Sequence, residues 1–130
     1  MKHINRRIWT ANDYARRLME LGIEPPLTGR IAIHPNAVFN ISGQFCAESF
    51  GLRAPAMPRK ASEIGLHYTH ITIDGEPAQQ TQLCDTIIAM AFVEHDTNAL
   101  LDAGVAALDP KSELVQLVGD TRKWCAENAD

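Results

Sequence analysis

The chain has 130 residues and a formal net charge of −4, with acidic and basic residues interspersed. This length suits one domain, residues 1–130. The hydrophobic content of 45% is ordinary for a globular protein and argues against disorder. Nucleic-acid binding is not expected, because phosphate contacts need clustered Lys and Arg. No run approaches the roughly 18 apolar residues that cross a bilayer, so no membrane association is expected.

The cysteines Cys46, Cys84 and Cys125 are odd in number, widely spaced and never in a C-x-x-C pair. Neither a disulfide framework nor a thiolate zinc site is predicted from that pattern. The N-terminus lacks the apolar core of a signal peptide, and we therefore expect a cytoplasmic protein. Cys46 and Cys84 lie in helical runs, where buried and inert thiols are common, so we expect core positions for both.

Helix signals dominate the first part of the chain. A helix is predicted from about residue 11 to Gly22, because Thr10 followed by Asp13 resembles a capping box. Prolines and a glycine then break the chain, and residues 31–34 form at most a short extended piece.

A helical run with small residues inside it is predicted over about 36–52. Gly43 lies within this run, and a glycine there indicates a break or the close approach of another backbone or a ligand. A loop follows, and Pro58 suits the first turn of a helix that continues to about residue 68.

Residues 69–77 have the alternation of a strand, but Asp74 and Pro77 are typical of a helix start. We interpret the segment as a helix end, a turn and a helix start. The longest helix is predicted over about 77–93, and two more are expected, one starting at Thr97 and one over about 109–126. These elements predict an all-α helical bundle.

Two patterns are candidates for chemistry. His67 and His70 share a helix face, with Asp74 and Glu76 close behind, and two imidazoles with a carboxylate can hold zinc or iron. Since the helix is expected to end near His70, structural roles are favoured over a metal site. The Asn-Ile-Ser-Gly-Gln run at 40–44 could present N–H groups and a hydroxyl to a phosphate, although it is equally good helix-capping chemistry.

Taken in order, several segments resemble the central part of an ADP-ribosylglycohydrolase. The segments that carry the resemblance are IWTAN at 8–12, PPLTG at 25–29, ISGQFCAESFGL at 41–52, APAMP at 54–58, GLHYTH at 65–70 and DGEP at 74–77. The resemblance implies an all-α, ADP-ribosylglycohydrolase-like partial fold. It also implies an ADP-ribosyl ligand bound near Ser42, Gly43 and His70, the three positions that we carry over as ligand-binding.

The chain departs from that family in its acidic motifs. The family holds two magnesium ions with an N-terminal G-D-D-T motif and a C-terminal D-x-D-T/N motif, and neither occurs here. We therefore assign no catalytic residue, no metal ligand and no cofactor; Mg²⁺ is expected only if a partner chain supplies its ligands. The resemblance thus implies the middle of such an enzyme, catalytically incompetent alone and retaining part of an ADP-ribosyl site.

Two alternatives remain open: a helical oligomerisation or interaction module without a ligand, and a hydrolase completed by a partner chain. Helices that lack their usual neighbours would expose apolar faces, and the run at 87–93, IIAMAFV, is the one we expect to be exposed. Exposed patches of that size usually mark an interface, so a homo-oligomer or a pairing with another chain is expected.

Overall fold

The predicted all-α fold is confirmed in a computed structural model, which describes residues 8–129 and contains no β-strand among them. The α-helices are α1 (Thr10–Glu20), α2 (Ala47–Gly51), α3 (Pro58–Thr69), α4 (Glu76–Met90), α5 (Thr97–Ala106) and α6 (Glu113–Glu127). Three short 3₁₀ turns, Leu27–Gly29, Pro35–Val38 and Gln44–Cys46, lie between α1 and α2. No helix in the described part of the chain is both long enough and apolar enough to cross a membrane.

Several helix boundaries differ from the sequence-based ones. Thr10 does not cap α1: the N-cap is Trp9, without a side-chain hydrogen bond, and Asp13 instead pairs with Arg17 at 2.8 Å. The N-cap of α4 is Gly75, whose φ of 60° favours glycine over Asp74. The last helix is capped by Ser112, whose hydroxyl accepts from the N–H of Leu114 at 3.2 Å, so it begins a few residues later than expected.

The helical run predicted over 36–52 is wrong. Only α2 is α-helical there, and residues 31–34 form a turn rather than an extended piece. Long-range hydrogen bonds override the local helix pattern, because the main-chain N–H of Asp74 donates to the carbonyl of Ala37 at 3.1 Å. The hydroxyl of Thr28 likewise donates to the carbonyl of Ile71 at 2.9 Å. Residues 27–46 are therefore held against the turn that joins α3 to α4.

Small residues form the centre of the packing between α2, α3 and α4. Ala54, Ala61 and Ala89 make the buried apolar cluster, and each is almost completely inaccessible to solvent. Gly51 and Gly65 bring α2 and α3 close to α4, since a methyl group added at Gly51 would lie 2.6 Å from the side chain of Ile88. Helix backbones that approach this closely leave little room for large side chains in the core.

Candidate functional site

Asn40 organises the loop that carries Ser42. Its side-chain oxygen accepts from the main-chain N–H of Ser42 at 3.1 Å and from the Ser42 hydroxyl at 2.6 Å. Its side-chain nitrogen donates to the carbonyl of Asn36 at 2.7 Å and to that of Thr72 at 3.1 Å. The Ser42 and Thr72 hydroxyl oxygens are 2.8 Å apart. The N–H and hydroxyl of Ser42 are therefore engaged within the chain, rather than forming an open phosphate cradle.

Gly43 lies next to Ser42 but is buried beneath α4. A methyl group added there would overlap the hydroxyl of Thr81 and lie 2.6 Å from Cδ1 of Ile73. Its backbone has φ −69° and ψ −45°, which any residue adopts, so glycine is needed for space and not for conformation. The close approach that the sequence indicated is made by another part of this chain.

A cavity of about 600 Å³ opens beside Ser42. Its apolar wall contains Trp9, Phe39 and Ile41, and its polar lining comes from three asparagines with Ser42 and Thr10. No side chain that lines it is charged. Trp9 also packs against Phe45, with the ring centres 5.1 Å apart. We call this cavity the Trp9 groove.

His70 lines a different cavity, of about 320 Å³, together with Asp74, Glu76 and Ser112. Glu76 is already used there, because it accepts a hydrogen bond from the Ser112 hydroxyl at 2.6 Å. Partial burial lowers the pKa of His70, and the positive charge of Arg30 adds to this effect while Asp74 opposes it. Ser42 and His70 thus face separate cavities, and the structure does not bring the three carried-over positions into one pocket.

The residues of the candidate metal site do not converge on one point. His67 is exposed and packs edge-on against Tyr68, with the ring centres 5.1 Å apart. Within residues 8–129, no group of three or more His, Cys, Asp or Glu side chains converges closely enough to hold a metal ion. The described residues therefore do not fit a two-magnesium centre.

Two expectations about burial need correction. Cys46 is exposed and Cys84 is half-buried, because Cys46 ends a 3₁₀ turn rather than lying inside a long helix. The run at 87–93 is not one exposed face: Ala89 is in the core and Ile88 packs against Gly51. Exposure is confined to its last residues, where Phe92 lies beyond the end of α4.

The most unusual buried group was missed in the sequence analysis. Asp85 of α4 is completely buried, and neither of its carboxylate oxygens has a hydrogen-bond partner. A helical period places this residue on the same side as Thr81 and Ala89, which are both buried. That periodicity was the available signal, but an aspartate is normally expected on the solvent side.

Comparisons with protein-family models, with curated proteins and with solved structures found no match to this chain. The resemblance to ADP-ribosylglycohydrolases therefore depends on the sequence segments alone.

Proposed function

We propose that this protein binds ADP-ribosyl compounds in the Trp9 groove and does not hydrolyse them by itself. The observation that carries the proposal is that Ser42, taken from the family resemblance, lines this cavity beside an aromatic wall. The cytoplasmic location predicted from the sequence belongs to the same proposal.

The size and lining of the groove support a nucleotide-type ligand. Small-molecule sites commonly measure about 300–1,000 Å³ and combine apolar walls with a few polar groups. Trp9 offers a face on which a base can stack, and Asn36 offers a carboxamide that can pair with ring nitrogens or ribose hydroxyls. Because the lining is uncharged, we place the base and ribose inside the groove and the diphosphate at its mouth.

We expect no hydrolysis by the chain alone because it lacks the carboxylates that would hold two metal ions. Two-metal activation of water needs several carboxylates around two ions about 3.5–4 Å apart. Neither of the family's aspartate motifs is present in the sequence. Turnover would therefore require that another chain contribute the metal ligands.

Titration calorimetry with ADP-ribose tests this proposal, using the two tryptophans of the chain as test and control. Trp9→Ala is expected to weaken binding about tenfold or more, since base–aromatic stacking is worth about 1–3 kcal/mol. Trp124→Ala removes a similarly exposed tryptophan from α6, outside the groove, and is expected to leave binding unchanged. Equal affinities for the two variants, or no binding by the unmodified protein at millimolar ADP-ribose, would contradict the proposal.

Magnesium provides a second arm of the same experiment. The heat of ADP-ribose binding is expected to be the same with and without Mg²⁺, and no ADP-ribose is expected to be released when an ADP-ribosylated acceptor is incubated with the protein. Turnover that depends on Mg²⁺ would instead favour the hydrolase completed by a partner chain.

A second candidate is a self-associating helical module. It is favoured by an unusual distribution of side chains: the buried apolar residues are mostly alanines, whereas many large apolar residues are exposed. The exposed ones include Phe39, Phe45, Phe92 and Leu117. Sedimentation velocity at micromolar concentration is expected to show a dimer or larger species under this function, and a stable monomer would count against it.

A further inference from the structure

Asp85 sits at the place where α2, α3 and α4 meet. Its side chain is completely buried, and both carboxylate oxygens lack a hydrogen-bond partner. It occupies the space that Gly65 leaves open, since a methyl group at Gly65 would lie 2.7 Å from Cγ of Asp85. Burying an unpaired carboxylate is costly, so a group in this position avoids ionisation or moves towards water.

The neighbouring hydroxyls do not satisfy this carboxyl. Thr69 donates to the carbonyl of Gly65 at 2.7 Å, and Thr81 donates to that of Pro77 at 3.1 Å. The hydroxyl of Thr86, the next residue along α4, is itself buried without a partner. The hydroxyls of Thr69 and Thr81 therefore donate to main-chain carbonyls and not to the carboxylate of Asp85.

No cation compensates Asp85 from the surrounding helices. The buried residues of α3 are Ala61, Ser62, Gly65 and Thr69, and none of them can carry a charge. On α4 the neighbouring titratable group is Cys84, whose pKa is raised by its own burial and then by Asp85 and by the exposed Glu48 of α2.

The remaining helices contact α4 elsewhere. α5 presents Gly104 to Leu83 and Ile87, and α6 reaches α4 through Glu76 at its far end. Within residues 8–129, burial raises the pKa of Asp85 and the ionisable groups named above are acids, so its ionised form is disfavoured.

We propose that Asp85 makes the α3–α4 interface a pH-sensitive joint, which is closed while the carboxyl is neutral and loosens when it ionises. Burial supports this by raising the pKa of Asp85 to about 8. Gly65 allows the neutral acid to lie against α3, and ionisation favours a separation of the helices that admits water. The turn after α3 carries His70 and Thr72, so loosening reaches residues that line one cavity and hold Ser42 beside the other.

The direction of the effect follows from proton linkage. The pKa of Asp85 is higher in the folded than in the unfolded protein, so the stabilisation is complete below the unfolded value of about 4 and is lost as the pH rises to about 8. Within that window the unfolding equilibrium constant is expected to rise by up to about tenfold per pH unit.

Two other groups with shifted pKa values determine the pH interval in which the effect of Asp85 can be measured separately. His70, with a lowered pKa, contributes with the opposite sign, but only below its ordinary value of 6.5. Cys84 contributes above its ordinary value of 9.0. The interval between about pH 6.5 and 8 therefore isolates Asp85.

Urea unfolding across that interval tests the joint. We expect the unfolding constant of the unmodified protein to rise by about 15-fold between pH 6.5 and 8, because Asp85 is half ionised in the folded protein at the upper end of this interval. Asp85→Asn is expected to abolish the rise, whereas the matched control Asp120→Asn, an exposed aspartate on α6, is expected to retain it. A flat profile for the unmodified protein, or a slope that survives in Asp85→Asn, would overturn the proposal.

Asp85→Ala is a second variant in case the asparagine does not fold, because alanine matches the small residues already present at this interface. Hydrogen exchange then shows whether the opening is local. After correction for intrinsic rates, α3 amides of the unmodified protein are expected to lose protection between pH 7 and 9, and those of Asp85→Ala are not. Equal changes in the two proteins would refute a joint at Asp85.

Discussion

Replacing Gly43 by alanine separates a packing role from a ligand-binding role at one of the three positions taken from the family resemblance. The backbone there is already in the right-handed helical region, so the substitution introduces no conformational strain. The added methyl group would overlap the Thr81 hydroxyl and lie 2.6 Å from Ile73 Cδ1 and 3.1 Å from Thr69 Cγ2. Thr69 and Thr81 belong to α3 and α4, and Ile73 belongs to the turn that joins them, so relief requires these elements to move.

The expected loss of stability from Gly43→Ala is about 2–3 kcal/mol, within the range for overpacked cores. With a urea dependence of about 1–3 kcal/mol per molar, this lowers the unfolding midpoint by about 1 M or more. Circular dichroism at 222 nm during urea titration measures it, with Gly119→Ala as the control. Gly119 is inside α6 with nothing within 4 Å of an added methyl group, so alanine there should stabilise the protein by about 1 kcal/mol. If Gly43→Ala were as stable as the unmodified protein, the packing assignment would be refuted.

Three further substitutions probe the elements that hold the site. Asn40→Ala should lower the free energy of unfolding in urea by about 2–3 kcal/mol, because it leaves part-buried groups of Ser42 and Thr72 without their partners; a loss under 0.5 kcal/mol would show that Asn40 does not hold this loop. Ser112→Ala should cost about 1–2 kcal/mol and raise amide exchange in the first turn of α6, since the hydroxyl caps that helix; unchanged exchange would exclude the cap. Ala56→Gly should raise the thermal midpoint by a few degrees, because Ala56 has φ 57°; a lower midpoint would contradict this strain.

The boundaries of the helices from α3 onwards could be predicted from residues close to them in the sequence. Pro58 at the start of α3, and the turn residues before α4, specify boundaries within a few positions of those observed. These signals are local, because a proline or a capping side chain acts on the backbone within one turn of itself. The all-α fold could be predicted on that basis.

The segment between α1 and α2 could not be predicted in the same way. Its conformation depends on hydrogen bonds between residues far apart in sequence, such as that from Asn40 to Thr72. Its large apolar residues are largely on the surface, as Phe39 illustrates, so the usual link between hydrophobic pattern and core is weakened. Local propensity therefore overestimated the helix at 36–52.

The candidate site was predictable only in part. Ser42 lines a cavity, and its role as a ligand position stays a prediction; the aromatic residues of the same cavity come from other parts of the chain and depend on how it folds back. Gly43 and His70 were chosen with Ser42 but do not line its cavity: Gly43 packs against Thr81 and Ile73, and His70 lines the second cavity. Asp85 was missed because aspartate is rarely buried without a partner.

The most direct test of the central claim is the fluorescence of Trp9 during titration with ADP-ribose. Trp124→Phe leaves Trp9 as the single tryptophan, so the signal reports on the groove alone. We predict a saturable change in emission that does not depend on Mg²⁺, together with no change in the complementary Trp9→Phe protein. An emission that stays constant up to millimolar ADP-ribose in Trp124→Phe, or an equal response in both variants, would contradict binding in the Trp9 groove.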